Sequence, residues 1–427
     1  MLESNSPAPF AIRHGLFHQA AAFRKPMSEP NKHFAVLLAA LARRDGKAAS
    51  PCGSDLREAD LEASRQHYRP SLGIELPCPS IFARSAVIGL LIALASSAQA
   101  TPSLLVDADS LQVLRSEEAG RAWYPASTTK LMTAFVTFEH LRAGRVALGQ
   151  DVVFSHKALA RESVQSGLAP GSTMSLEDAL YAMLAVSANE AAAAIAETIA
   201  GSEAEFVTMM NDAARRLGMT GTRFVNPDGL FDRRQVTTAR DLALLGVAID
   251  RNFPDYLRFF DRSEVSIDGR VLKSSDEVLT RFPGAIGLKT GFVCASGRNL
   301  VSLAVRGEKR LVAVVLGATT ERERSERIAQ LLQHGFTKTE GGRRTALRAL
   351  PNQTASRPED LRARLCGPQA AAYERRQRKL YPMGQRGHAS LLGAPIAPRT
   401  WTIRTRRSAL ATSSPSPAPR PSGLGQQ

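Results

Sequence analysis

Three short clusters of residues in this 427-residue chain have the types and spacing needed for acyl-transfer chemistry. Ser127-Thr128-Thr129-Lys130 sets a hydroxyl three residues before an amine. Ser187-Ala188-Asn189 adds a second hydroxyl and a carboxamide, and Lys289-Thr290-Gly291 adds a cation, a hydroxyl and a residue with no side chain. A serine hydroxyl is a poor nucleophile until a base takes its proton, and positions i and i+3 of a helix share one face about 5–6 Å apart, so Lys130 can reach Ser127 Oγ. At a helix start, the Ser127 N–H also meets the positive end of the macrodipole, which favours a developing oxyanion. Lys130 is a base only when neutral, and burial together with the charge of Lys289 would lower its pKa. Ser187 would relay a proton to a leaving amine and Asn189 would orient an amide. Lys289 with Thr290 would bind a carboxylate, Gly291 would leave space along its strand, and the Phe292 N–H would be a second oxyanion donor.

Each cluster occurs once, with Ser187 60 residues after Ser127 and Lys289 102 residues after Ser187. Other chemistries leave no signature: there is no GxSxG, HExxH, Walker loop or GxGxxG in a strand-to-helix setting. No metal or cofactor is expected, since His140, His156 and His334 are isolated and read as surface or capping residues. Arg240, Asn226 and Arg298 read equally as cleft, turn or helix-surface residues.

Elements must position these groups. Leu104-Leu105-Val106 and Val113-Leu114 read as a hairpin, although Ser110-Leu111-Gln112 lacks a turn glycine. Gly287 to Phe292, Leu300 to Val305 and Leu311 to Leu316 read as three more strands. Between them the period is helical: Leu131, Ala134, Phe135 and Phe138, then Phe206, Met209, Met210, Ala213 and Leu217 before Gly218 as a terminating glycine. Ser175 reads as an N-cap, and Thr238 with Asp241 as a capping-box-like start. Ile328, Leu331, Leu332 and Phe336 make a closing amphipathic helix. The predicted fold is α+β: a five-stranded antiparallel sheet built from both ends of the domain, flanked by helices, with an inserted helical lobe and a cleft where lobe meets sheet.

Composition divides the chain. The formal net charge of +15 resides mostly in residues 337–427, with 17 Lys and Arg against 4 Asp and Glu, whereas residues 101–336 hold 27 against 28. The central segment therefore gives no electrostatic case for nucleic acid. The Arg-, Pro-, Ala- and Ser-rich tail is expected to be solvated and poorly ordered, with weak contact to an anionic membrane surface as its one suggested partner. Ala86 to Ala95 is an apolar run of ten residues, too short to span a bilayer; with Arg84 before it and Ala98-Gln99-Ala100 after it, it reads as an export signal cleaved after Ala100. The expected organisation is an atypical, disordered extension (1–80), a signal (81–100), a catalytic domain (101–336) and the basic tail (337–427), in an exported periplasmic or cell-envelope protein. After cleavage only Cys294 and Cys366 remain, and no disulfide is expected; Cys294 reads as a small apolar filler in a strand, with a reactive thiol as the alternative.

The three clusters are the SxxK, SxN and KTG motifs of penicillin-binding proteins and serine β-lactamases. The chain most resembles the low-molecular-weight D-alanyl-D-alanine carboxypeptidases of the peptidase S11 type, through Tyr124-Pro125-Ala126-Ser127-Thr128-Thr129-Lys130-Leu131-Met132-Thr133, Leu217 to Thr222, Asn226-Pro227-Asp228-Gly229-Leu230, Thr237 to Leu242, and Gly287 to Phe292. The resemblance covers roughly residues 101–336. It implies a peptidoglycan stem peptide ending in D-Ala-D-Ala as substrate, attack by Ser127 on the penultimate carbonyl, and β-lactams as covalent inhibitors at the same serine. A DD-endopeptidase, a class A-like β-lactamase and a non-catalytic cell-wall-binding module are the alternatives. The second is disfavoured because no Glu lies between Glu205 and Glu264.

Overall fold

The computed structural model describes residues 101–161, 166–337, 345–353, 355, 357–385 and 387–407. The expected extension 1–80, the signal 81–100 and its cleavage point lie outside the described residues.

Strands β1 (Ser103–Asp107) and β2 (Val113–Glu117) form the first hairpin. Its turn closes without glycine: Leu111 takes φ +59°, and Asp107 Oδ1 accepts from both the Ser110 N–H and hydroxyl at 2.8 Å. Short strands β3 (Asp151–Val153), β4 (Ser172–Ser175), β5 (Glu264–Ile267) and β6 (Arg270–Lys273) belong to two small sheets. Strands β7 (Ala285–Val293), β8 (Gly297–Arg306) and β9 (Lys309–Ala318) complete the main antiparallel sheet in the order β2-β1-β9-β8-β7. The two chain ends of the domain meet where β1 pairs with β9, Leu104 opposite Val314.

Strand side chains alternate between faces, and here both faces are apolar because both are covered. Leu105, Leu300, Ala313 and Val315 pack on Ile328, Ala329 and Leu332 of the closing helix. Leu104, Val301, Val312 and Val314 join the larger core of the helical lobe.

The helices are α1 (Lys130–Arg142), α2 (His156–Leu159), α3 (Leu176–Ala185), α4 (Asn189–Ala200), α5 (Glu203–Leu217), α6 (Ala239–Asn252), α7 (Glu277–Arg281) and α8 (Glu321–Thr337). Their ends follow local chemistry. Ser175 Oγ accepts from Asp178 N at 3.0 Å, Thr238 Oγ1 accepts from Asp241 N at 3.1 Å, and Gly218 ends α5 at φ +76°. Helix α1 differs from the single apolar stripe its sequence suggests: every residue from Lys130 to Phe138 is buried, polar Thr133 and Thr137 included. It runs through the middle of the lobe and carries the amine of the first motif inward.

The tail departs most from expectation. Its described residues stay mostly exposed, as expected of a solvated segment, but they are ordered against the domain by strands, a few apolar anchors and a disulfide. Helices α9 (Arg362–Leu365) and α10 (Ala370–Leu380) are followed by β10 (Thr400–Ile403), parallel to β5, and β11 (Arg406–Arg407), antiparallel to β4. Leu347, Leu361, Leu392 and Ile403 are buried. Trp401 stacks on Tyr181 with ring centroids 4.1 Å apart, and its Nε1 donates to Asp178 Oδ1 at 2.8 Å. Cys294 is bonded to Cys366, which corrects the reading of two unpaired thiols and removes the reactive-thiol alternative. Several tail arginines pair with acids while remaining exposed, as with Arg406 on Asp151 and Arg364 on Glu359. A composition argument fails here because it counts charges without seeing which acids lie opposite them.

Candidate active site

The first motif begins in a tight 3₁₀ turn, Ala126–Thr129, that runs directly into α1. Asn299 on β8 clamps the turn to the sheet: its Nδ2 donates to the carbonyls of Tyr124 and Pro125, both at 3.0 Å, while its Oδ1 accepts from Gly317 N at 2.9 Å. Two glycines sit at close approaches. A Cβ on Gly291 would lie 3.0 Å from Ser127 N, so β7 presses tightly against the turn and a side chain there would push it back by a few tenths of an ångström. Gly229, at φ +89°, would place a Cβ 2.0 Å from the Ala126 carbonyl oxygen. Ala126 and Ser187 are themselves non-glycine residues at φ +49° and +64°. Such conformations cost free energy and persist where surroundings over-determine them.

Lys130 is fully buried, and its Nζ lies 3.1 Å from Ser127 Oγ, 2.6 Å from Asn189 Oδ1 and 2.5 Å from the Asp228 carbonyl oxygen. Asp228 is presented by a loop that Asn226 builds: Asn226 Oδ1 accepts from Gly229 N at 2.8 Å, and its Nδ2 donates to the Leu230 carbonyl at 3.0 Å. Burial pulls the Lys130 ammonium down to about 8, opposed by the nearby charges of Asp228 and Glu190. The positive neighbour expected to act on Lys130 has its visible effect in the other direction. Lys289, 2% exposed, is pushed well below the ordinary lysine range by burial first and by Lys130 second, against Asp276. Lys289 Nζ donates to the Thr290 carbonyl at 3.1 Å, and the Thr290 and Ser275 hydroxyls lie 3.2 Å apart.

A cavity of about 810 Å³ is lined by Ser127, Ser187, Asn189, Phe292 and, unexpectedly, Arg362 of the tail. Cys294 also lines it, so the disulfide ties the tail to the rim. Ser187 Oγ has no hydrogen-bond partner among the described residues. The structure thus brings Ser127, Lys130, Ser187 and Asn189 to one place, with Gly291 against the Ser127 turn and Lys289 and Thr290 just before it on β7. Strand β7 is an edge of the sheet, so alternate backbone groups are left unpaired by any neighbour. Among the ambiguous residues, Arg240 is structural, bonded to the carbonyls of Gly218, Arg348 and Leu350, and Arg298 lies over the Phe292 ring at 4.7 Å.

The family model for D-alanyl-D-alanine carboxypeptidase, peptidase S11, matches residues 92–320. The chain belongs to that family. It is 34% identical to the D-alanyl-D-alanine carboxypeptidase DacC of Escherichia coli (strain K12), over 57% of this chain and 62% of that protein. It is 31% identical to DacF of Bacillus subtilis (strain 168), over 57% of this chain and 63% of that protein. The chain therefore spans less than two thirds of the length of either relative. The cefotaxime-bound penicillin-binding protein D2 of Listeria monocytogenes superposes with a TM-score of 0.50 at 29% identity, covering 56% of this chain and 98% of that one. The matched region ends before the tail, so Arg362 and the disulfide partner Cys366 come from outside it.

Sequence reasoning missed four participants. The Asp228 carbonyl carries no side-chain signal, although it sits in the Asn226 to Leu230 stretch. Glu190 directly follows the second motif, is 2% exposed, and has both carboxylate oxygens without a hydrogen-bond partner among the described residues. Asn299 is fully buried at the start of the apolar part of β8, next to Arg298, where its type alone gives no clear signal. Arg362 could not be singled out among 17 basic residues of the tail.

Proposed function

We propose that the chain is a serine D-Ala-D-Ala carboxypeptidase that removes the terminal D-Ala from peptidoglycan stem peptides through an acyl-enzyme on Ser127. The observation that carries this reading is a fully buried lysine 3.1 Å from the serine hydroxyl with its pKa lowered to about 8. A neutral amine has two N–H donors and one lone pair. With the donors directed at Asn189 Oδ1 and the Asp228 carbonyl, the lone pair faces Ser127 Oγ–H, which is the arrangement of a general base.

In the first half-reaction Lys130 takes the Ser127 proton as Oγ bonds to the penultimate D-Ala carbonyl carbon. The N–H groups of Ser127 and Phe292 receive the oxyanion. As the C–N bond breaks, the proton held on Lys130 passes through Ser187 to the leaving amine, and D-Ala departs. Water then adds to the ester with the same base and releases the shortened peptide. Lys289 and Thr290 hold the terminal carboxylate, and the substrate lies along the open edge of β7, with Gly291 allowing the close approach. β-Lactams would acylate the same serine. The protein would act in the cell envelope after export and cleavage following Ala100. Mass spectrometry of a stem peptide ending in D-Ala-D-Ala tests the activity: the expected product is shorter by one D-Ala, and an intact peptide would overturn it.

A further inference from the structure

A second cavity lies one layer of side chains away from the first. From Ser127 the first cavity extends along β7 past Phe292 and Ala295 to Arg362 and Phe231, away from Lys289 and Thr290. Since those two hold the terminal carboxylate, this is the side on which the acyl donor must lie. Its end wall is formed by two residue pairs side by side. Phe231 meets Tyr124 edge-on at 5.1 Å between centroids, and Arg362 is paired with Asp360 while lying 4.9 Å over the Phe231 ring. Tyr124 and Asp360 line the second cavity, of about 760 Å³.

Four arginines line that cavity, Arg223, Arg233, Arg234 and Arg357. The carboxylates beside them are already committed. Asp232 is bonded to Arg234 at 2.7 Å and held down to about 2, and Asp360 is bonded to Arg362, which lowers its pKa as well. Arg223 and Arg233 lie within the electrostatic reach of Asp232 and Asp360, but those acids make their close ion pairs with Arg234 and Arg362, and among the described residues Arg223, Arg233 and Arg357 form no salt bridge of their own. Several guanidiniums around one concavity repel each other and raise the local positive potential, and their planar N–H forks fit carboxylate geometry.

Resting on the reaction assigned to Ser127, we propose that this cavity is a subsite for a carboxylate on the acyl-donor part of the substrate peptide, read by Arg223, Arg233 and Arg357. Arg357, like the wall residues Asp360 and Arg362, comes from the tail, which the Cys294–Cys366 bond fixes at the rim and which lies outside the matched region 92–320. The tail thereby gives this chain an acidic-peptide preference of its own.

The test compares two stem peptides with the same D-Ala-D-Ala end, one with free carboxylates on the acyl-donor side and one with those groups amidated, using the full chain and the R223Q/R233Q/R357Q variant. The wild type should favour the free-carboxylate peptide about tenfold or more in kcat/KM, as expected for charge-assisted pairing. The preference should shrink as ionic strength rises from about 0.05 to about 0.5 M. The triple variant should lose the preference while benzylpenicillin acylates it at the wild-type rate. Equal rates on the two peptides in the wild type, a preference that survives in the variant, or a parallel loss of penicillin acylation would overturn the subsite. D-Ala release from neither peptide would instead overturn the activity on which it rests.

Discussion

Lys130 sets a pH profile that can be worked out in advance. With its pKa pulled to about 8 by burial, the neutral, basic form is about half of the enzyme at pH 8 and about 1% at pH 6. The second-order rate constant for acylation by a fluorescent penicillin should therefore rise about tenfold per pH unit below the midpoint, about 50-fold between pH 6 and 8, and level off above. Glu190 supplies a direction for the shift. Its charge raises the Lys130 pKa, and the side chain is buried with no hydrogen bond to lose among the described residues. Glu190→Gln should move the rising limb to lower pH and speed acylation at pH 6. A flat profile from pH 6 to 8 would refute the general-base assignment. An unmoved limb in Glu190→Gln would refute the electrostatic link between the two buried groups.

Three further outcomes follow from the packing. Cys366→Ser opens a cross-link between residues 72 apart and should lower stability by roughly 4 kcal/mol on the chain-entropy estimate, read as a drop in Tm under non-reducing conditions; an unchanged Tm would mean the tail is held without it. Deleting residues 341–427 exposes the pockets of Leu347, Leu361, Leu392 and Ile403, each worth about 1.5–3 kcal/mol as an upper estimate. The shortened domain should unfold at markedly lower temperature and denaturant, and wild-type stability would show that the tail is a passenger. Gly229→Ala forces a methyl against the Ala126 carbonyl and needs a positive φ, so it should cut penicillin acylation by at least about tenfold through the nucleophile's turn; normal acylation would show that the turn tolerates displacement.

The chemistry was legible because it rests on local patterns. Ser127 and Lys130 are one helical turn apart, Ser175 and Thr238 cap from within their own first turns, and short continuous apolar runs mark β8 and β9. The parts that stayed hidden depend on distant residues. Lys130 owes its setting to a backbone carbonyl 98 positions away, and a carbonyl has no residue type to read. Trp401 docks on Asp178 and Tyr181 more than 200 positions earlier. The tail's anchors, Leu347, Leu361, Leu392 and Ile403, are single apolar residues set too far apart to make any period, so basic composition outweighed them. Cys294 looked like strand filler because its partner lies in a segment read as unstructured. The expected hairpin forms without a turn glycine: Leu111 adopts the left-handed conformation, and the Asp107 side chain bonds to Ser110 in the same turn.

The central claim is that Ser127 is the nucleophile and Lys130 its base. Its most direct test is to incubate the protein with benzylpenicillin, digest it, and locate the adduct by tandem mass spectrometry. The account predicts a single penicilloyl group on the Ser127 hydroxyl, no adduct in Ser127→Ala, and a folded Lys130→Ala protein acylated about 10²–10⁴-fold more slowly. An adduct on any other residue, or one that persists in Ser127→Ala, would contradict it.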